Sequence, residues 1–240
     1  MPVRLSTLPD FTRPGVGVVM VSTWRVGTPE RQQATVEAIT RVWRSRPWPT
    51  GGLLSYSSLT GNDGETLLHY SQWRDRAAHQ AFAATGRDER VAEIDAAVPG
   101  IERVGLRPYT LYRGEGPTVP GDGPVPGCFV AVDVEFEGPD PARLRSWVDT
   151  VFEAIGTDPH LAPGGISAYF HAATDGTRVL NLAGWESEQA HVDALAAPGQ
   201  GIGSDTEQWR AVRAHPGVKG STVTRCTPAI SLFPAGGATG

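Results

Sequence analysis

The chain has little cysteine, no excess of basic charge and no long apolar run, and each shortage removes a class of protein. Of 240 residues only Cys128 and Cys226 are cysteines, with no CxxC and no Cys/His spacing of the zinc-site kind. A disulfide framework and a metal site are therefore not expected. Lys and Arg number 21 against 26 Asp and Glu, a net charge of −5, and no basic run occurs. Binding to phosphate backbones or anionic lipid needs a concentrated basic face, so neither a nucleic acid nor a membrane is an expected partner. No stretch approaches the ~18 apolar residues of a membrane span, and the first residues lack the basic-then-apolar pattern of a secretory leader. The expected setting is a reducing cytoplasm.

What the chain has is 29 Gly and 20 Pro punctuating a 40% hydrophobic sequence, and the punctuation recurs. A β-rich run, Val16–Trp24, leads through Gly27-Thr28-Pro29 into a helical pattern containing Ile39, Val42 and Trp43. Phe129–Phe136 leads through Gly138-Pro139-Asp140-Pro141 into a second, in which Leu144, Trp147, Val148, Val151, Phe152 and Ile155 keep helical spacing. Thr28 and Asp140 are placed as N-caps, each with proline at the first helical position. Pro/Gly breaks follow, then two strand pairs turning at Asn62-Asp63-Gly64 and Asp175-Gly176, strong hairpin signals. The landmarks then match in order at separations of 112 or 113 residues: Tyr56 with Tyr169, Trp73 with Trp185, His79 with His191. A second helix, a Pro-Gly turn and a last strand (Val104–Arg113; Ser221–Ile230) close each half.

This order, β-α-β-β-α-β twice, predicts an α+β fold of two ferredoxin-like repeats. The first covers residues 1–113 and the second 128–240, with 114–127 a Pro/Gly linker. The second copy carries about five extra residues in its Gly-rich stretch Pro198–Ser204. That stretch does not follow a strand within a βαβ unit, so it is read as a mobile lid and not as a phosphate loop.

At Trp73-Arg74-Asp75-Arg76-Ala77-Ala78-His79 and Trp185-Glu186-Ser187-Glu188-Gln189-Ala190-His191 the chain resembles the antibiotic biosynthesis monooxygenase family. The resemblance covers nearly the whole chain, twice. It implies the dimeric α/β-barrel fold, here built as one intramolecular barrel from both antiparallel sheets, in a monomer or a homodimer. The scaffold also hosts haem-degrading enzymes and proteins of no assigned activity, so it speaks for fold more than for chemistry. Quinone-forming members that act on aromatic polyketides carry Asn four residues before the strand Trp, which Asn181-Leu182-Ala183-Gly184-Trp185 matches; the first copy departs from this with His69-Tyr70-Ser71-Gln72-Trp73. The implied activity is oxidation of a polycyclic aromatic polyketide, an anthrone-like phenol to a quinone or a related ring oxidation. O₂ is the co-substrate, there is no resident cofactor, and externally supplied reduced flavin is left open. A non-catalytic small-molecule carrier or assembly module, and a haem-binding enzyme, are the alternatives.

Strand alternation places Asn181 with Trp185, and His69 with Trp73, on shared faces. An amide inside Val179–Ala183 is an unusual choice for a buried strand, so Asn181 reads either as a ligand contact or as a local hydrogen bond to a loop. The candidate catalytic residues are Asn181 and Trp185, which orient substrate oxygens, together with Trp73 and the bases His69, His79 and His191. Tyr56, Tyr169 and His171 on the second strands are candidate substrate contacts, with plain sheet packing the competing reading. The second copy is expected to hold the working pocket.

Overall fold

Thr28 and Asp140 act as the sequence predicts. In a computed structural model of the chain, which describes residues 3–116, 123–157, 163–196, 202 and 204–235, the Thr28 hydroxyl accepts from the Arg31 N–H at 3.3 Å. Asp140 Oδ1 accepts from the Ala142 and Arg143 N–H groups at 3.0 Å. Each caps a 17-residue helix, α1 (Pro29–Ser45) and α4 (Pro141–Thr157). The hairpin turns form where Asp-Gly demanded them: Asp63 and Asp175 accept backbone N–H bonds across the turn, and Gly64 and Gly176 take positive φ of 76° and 74°.

Among the described residues the class is α+β, with nine strands and six helices. Two compact units divide the chain. The first contains the residues up to Pro108 together with those from Cys226 on, and the second runs Tyr109–Arg225. In the first lie β1 (Val3–Ser6), β2 (Val18–Arg25), α1, β3 (Leu53–Gly61), β4 (Thr66–Trp73), α2 (Arg76–Thr85) and α3 (Arg87–Ala97). In the second lie β6 (Cys128–Phe136), α4, β7 (Gly165–Ala173), β8 (Arg178–Trp185), α5 (Glu188–Ala196) and α6 (Glu207–Arg213). The long strands β5 (Glu102–Glu115) and β9 (Val218–Pro234) each contribute one stretch to each unit. Sheet order is β1-β9-β3-β4-β2-β5 in the first unit and β5-β7-β8-β6-β9 in the second.

Pairing is antiparallel, and its register is the same in both units down to one bulge. Leu53↔Trp73 shifts to Ser55↔Gln72, and Gly165↔Trp185 shifts to Ser167↔Gly184. Each core lies between a sheet and its helices. In the first unit Ile39, Val42 and Trp43 pack with Trp24, Leu67 and Trp73. In the second Leu144, Trp147, Val148, Val151 and Phe152 pack on Phe170 and Val179. Cys128 and Cys226 are both buried.

Three features differ from the sequence reading. Val3–Ser6 forms a strand paired to β9, Val3 opposite Pro234, although four residues carry too little periodicity to be recognised. The single helix expected after Trp73 is two, broken at Gly86, whose N–H closes α2 on the Phe82 carbonyl. The last strand of each half is longer than expected. Of the Gly-rich stretch read as a lid, residues 198–201 and 203 lie outside the described residues, as do 117–122 of the expected linker.

Candidate functional site

Strand β4 presents His69, Ser71 and Trp73 on its helix-facing side, and β2 adds Met20, Ser22 and Trp24 from the same side. Over them lie Trp43 of α1, His79 and Phe82 of α2, and Arg90 of α3, enclosing a cavity of about 340 Å³. That is the lower end of the range for small-molecule pockets, ~300–1,000 Å³.

His69 is the polar centre of this cavity. It is 4% exposed, its ring is 4.1 Å from that of Trp24, and its Nδ1 is 2.7 Å from the Tyr56 hydroxyl. Its Nε2 is buried without a protein partner. Burial, and secondarily the Arg103 charge, push its pKa down to about 3, so the ring is neutral at physiological pH. Burial likewise raises the Tyr56 phenol above its ordinary value. As a general base His69 is therefore poorly matched to neutral pH; as a neutral hydrogen-bonding group it is well placed. His79 stands edge-on to Trp73 at 5.1 Å, its pKa lowered by burial first and then by Arg87 and Arg76.

In the second unit Asn181, Ala183 and Trp185 hold the positions of His69, Ser71 and Trp73, judged by identical register. Asn181 Oδ1 and Trp185 Nε1 are both buried without a partner, Trp185 being 5% exposed. The reason for the second orphan is one residue: Trp73 Nε1 donates to Ser71 Oγ at 3.0 Å, whereas the second unit has Ala183. His191 stands edge-on to Trp185 at 5.0 Å and its Nδ1 accepts from Arg225 Nε at 3.1 Å. Burial, then Arg225, lowers its pKa to about 4.

The structure thus gathers Tyr56, His69, Trp73 and His79 around one cavity, and sets Asn181, Trp185 and His191 together on the helix-facing side of β8 and α5. It separates Tyr169 and His171 from these. Tyr169 faces Leu182 and His171 faces Leu180 across the ladder, whereas Phe170 faces Asn181; the two therefore point to the side away from the helices. Tyr56 holds the register position of Ala168, not of Tyr169, and an offset of one residue reverses the face. His171 is fully buried, its Nδ1 3.1 Å from the Tyr169 carbonyl, and burial drops its pKa to about 4. Ser22, Trp24, Arg90 and Arg103 line the cavity unannounced. Alternation along β2 with Met20 was the available signal for the first two; the arginines had none.

Three proteins of known structure share this architecture. An anthrone oxidase-like protein superposes with a TM-score of 0.67 at 16% identity, over 98% of this chain and 97% of its own. A candidate monooxygenase from Lactobacillus acidophilus NCFM gives 0.55 at 10%, over 90% and 96%. A candidate chlorite dismutase, TA0507, gives 0.52 at 12%, over 88% and 93%. The fold is shared. No family model matches the chain and no curated protein matches it. Among the described residues, no group of three or more His, Cys, Asp or Glu is arranged to hold a metal ion.

Proposed function

We propose that the protein is an oxygenase that oxidises a polycyclic aromatic phenol with O₂, an anthrone-like ring carbon becoming a quinone carbonyl, and that turnover occurs in the second unit. The observation that carries this reading is the pair of buried, unpartnered atoms on β8, Asn181 Oδ1 and Trp185 Nε1. An orphaned buried polar atom costs ~1–3 kcal/mol. An acceptor and a donor on one face match a ligand that presents both a hydroxyl and a carbonyl or phenolate oxygen.

The chemistry follows from the substrate. Loss of a proton from the benzylic carbon leaves a delocalised carbanion, which passes one electron to O₂. Combination of the resulting radical with superoxide and return of a proton give a hydroperoxide. Loss of water then cleaves the O–O bond and leaves the carbonyl, so one O₂ yields one quinone oxygen and one water. Trp185 N–H stabilises the oxygen on which negative charge develops, and Asn181 Oδ1 accepts from the neighbouring hydroxyl. The buried apolar side chains packed around Trp185, among them Val130, Ala183 and Ala194, keep water from the intermediate. His191 orients Trp185; its lowered pKa and its bond from Arg225 make it a weak base. Reduced flavin supplied from outside is the variant that the assay must include.

The test is O₂ uptake by chelator-treated protein across a panel of anthrones and polycyclic phenols, with and without reduced flavin. Uptake matched one-to-one by quinone is expected. Binding of the same compounds with no uptake under either condition would instead make the protein a carrier.

A further inference from the structure

The cavity of the first unit differs in charge from what a neutral phenol requires. Arg87, Arg90 and Arg103 line it and, among the described residues, no Asp or Glu does. Arg103 is clamped by Asp95 through both terminal nitrogens, at 3.2 and 2.7 Å, with its guanidinium 4.4 Å from the centre of the Trp24 ring. Arg90 is 9% exposed and lies over Trp43 at 4.9 Å and Phe82 at 5.5 Å. It donates to the carbonyls of Gly86 and Pro47, neutral acceptors that leave its charge uncompensated by direct contact. The Nε atoms of Arg90 and Arg103 are buried without partners, as is His69 Nε2. In the tautomer in which the Tyr56 hydroxyl donates to Nδ1, the His69 proton sits on Nε2, a buried donor at the cavity wall that no protein group accepts from. Ser58, opposite His69 in the ladder, also holds a buried hydroxyl without a partner.

A pocket walled by aromatic rings, with cationic and N–H donors and, among the described residues, no lining carboxylate, is complementary to one kind of molecule. We infer that the first-unit cavity binds a fused-ring aromatic as its anion, the charged oxygen facing His69, Arg90 and Arg103. This rests on the reading of the protein as one that handles polycyclic aromatics. It adds that the two units have separate ligand preferences, anionic in the first and neutral in the second. Arg103 and His69 would then be specificity-determining positions, the second unit holding Asn181 where the first holds His69.

Calorimetric titration of the intact protein with 2-naphthoate and with its neutral isostere 2-naphthamide tests this without any turnover. The carboxylate is expected to bind about ten-fold tighter, the size of one charge-assisted hydrogen bond. Arg103→Gln and Arg87→Gln should each shrink that ratio, and Asp95→Asn, which removes the counter-charge, should widen it. A merely structural role for Arg103 would move both ligands together. 2-Naphthol separates the sources of the anion: affinity that rises as the naphthol ionises shows that a phenolate is accepted, and a flat profile restricts the site to carboxylates. Equal affinity for naphthoate and naphthamide, or a ratio that neither arginine variant changes, overturns the inference. Because no O₂ is consumed, that result would leave the oxygenase reading to its own assay.

Discussion

The two units share a register and differ in what they leave unsatisfied. Across β2, β4 and β3 the first unit sets Ser22, His69 and Ser58 side by side, and the second sets Val132, Asn181 and Phe170 at the same places. Tyr56, which holds His69, is replaced by Ala168, and Ser71, which holds Trp73, by Ala183. One unit therefore engages its strand tryptophan within the protein and leaves one imidazole nitrogen unpartnered; the other leaves the indole N–H and an amide oxygen unpartnered. A scaffold whose backbone pairing tolerates either set can carry two different sites, because the ladder is made by main chain and the ligand contacts by alternate side chains.

The largest effect expected from this difference is at Asn181. Asn181→Ala should lower kcat/KM for O₂-dependent oxidation by roughly 10²–10³-fold, the loss seen when one transition-state hydrogen bond is removed. His69→Ala should change turnover less than this and act mainly on binding of the aromatic anion. Steady-state kinetics on both variants, after circular dichroism has shown each to be folded, checks the order. If the His69 variant is the more damaged in turnover, the working pocket belongs to the first unit.

Much of this was legible before the structure. Asp-Gly turns, Thr28 and Asp140 caps and the helical spacing of Leu144 to Phe152 are local signals, and local signals fixed the α+β class and most element positions. Asn181 stood out because an amide amid Val, Leu and Ala is a local anomaly. Faces were harder to read. Tyr56 and Tyr169 match in order along the chain yet point to opposite sides, since the strand registers pair Tyr56 with Ala168, and Tyr169, one residue further on, falls on the other face. Arg103 and Arg90 were unreadable for a different reason: their place in the cavity depends on partners far along the chain, Trp24 and Pro47.

The comparison extends to the side away from the helices, where His171 in the second unit holds the position of Leu59 in the first. Both are fully buried. His171 has its pKa depressed to about 4 by burial, against ~6.5 for an unfolded histidine. Between those values the unfolded chain binds a proton that the folded chain refuses. The stability contributed by this group is thus complete above pH 6.5 and is lost as pH falls toward 4. His69 and His191 act in the same sense, with values near 3 and 4. Replacing the residue by what the first unit carries, His171→Leu, should remove about one proton from the linkage and flatten the stability–pH slope by ~1.4 kcal/mol per pH unit in that window. Urea unfolding at a series of pH values measures it. A slope unchanged from wild type would mean that His171 stays protonated in the folded chain.

The smallest expected effect is the most direct test of why the two tryptophans differ. Ala183→Ser adds one oxygen two residues before Trp185 and on its face, the arrangement that satisfies Trp73 in the first unit. A hydroxyl there competes with the substrate for the indole N–H. Because a neutral hydrogen bond is worth ~1 kcal/mol net, kcat/KM should fall about five-fold with the fold intact. The reciprocal change, Ser71→Ala, takes away the acceptor of an indole that is 2% exposed. It should destabilise the protein by ~1–2 kcal/mol, a drop of a few degrees in the thermal midpoint. The pair of outcomes has to come together. If Ala183→Ser raised stability without touching the rate, the Trp185 N–H would be an unpaid structural defect and not a ligand contact, and the case for turnover in the second unit would rest on Asn181 alone.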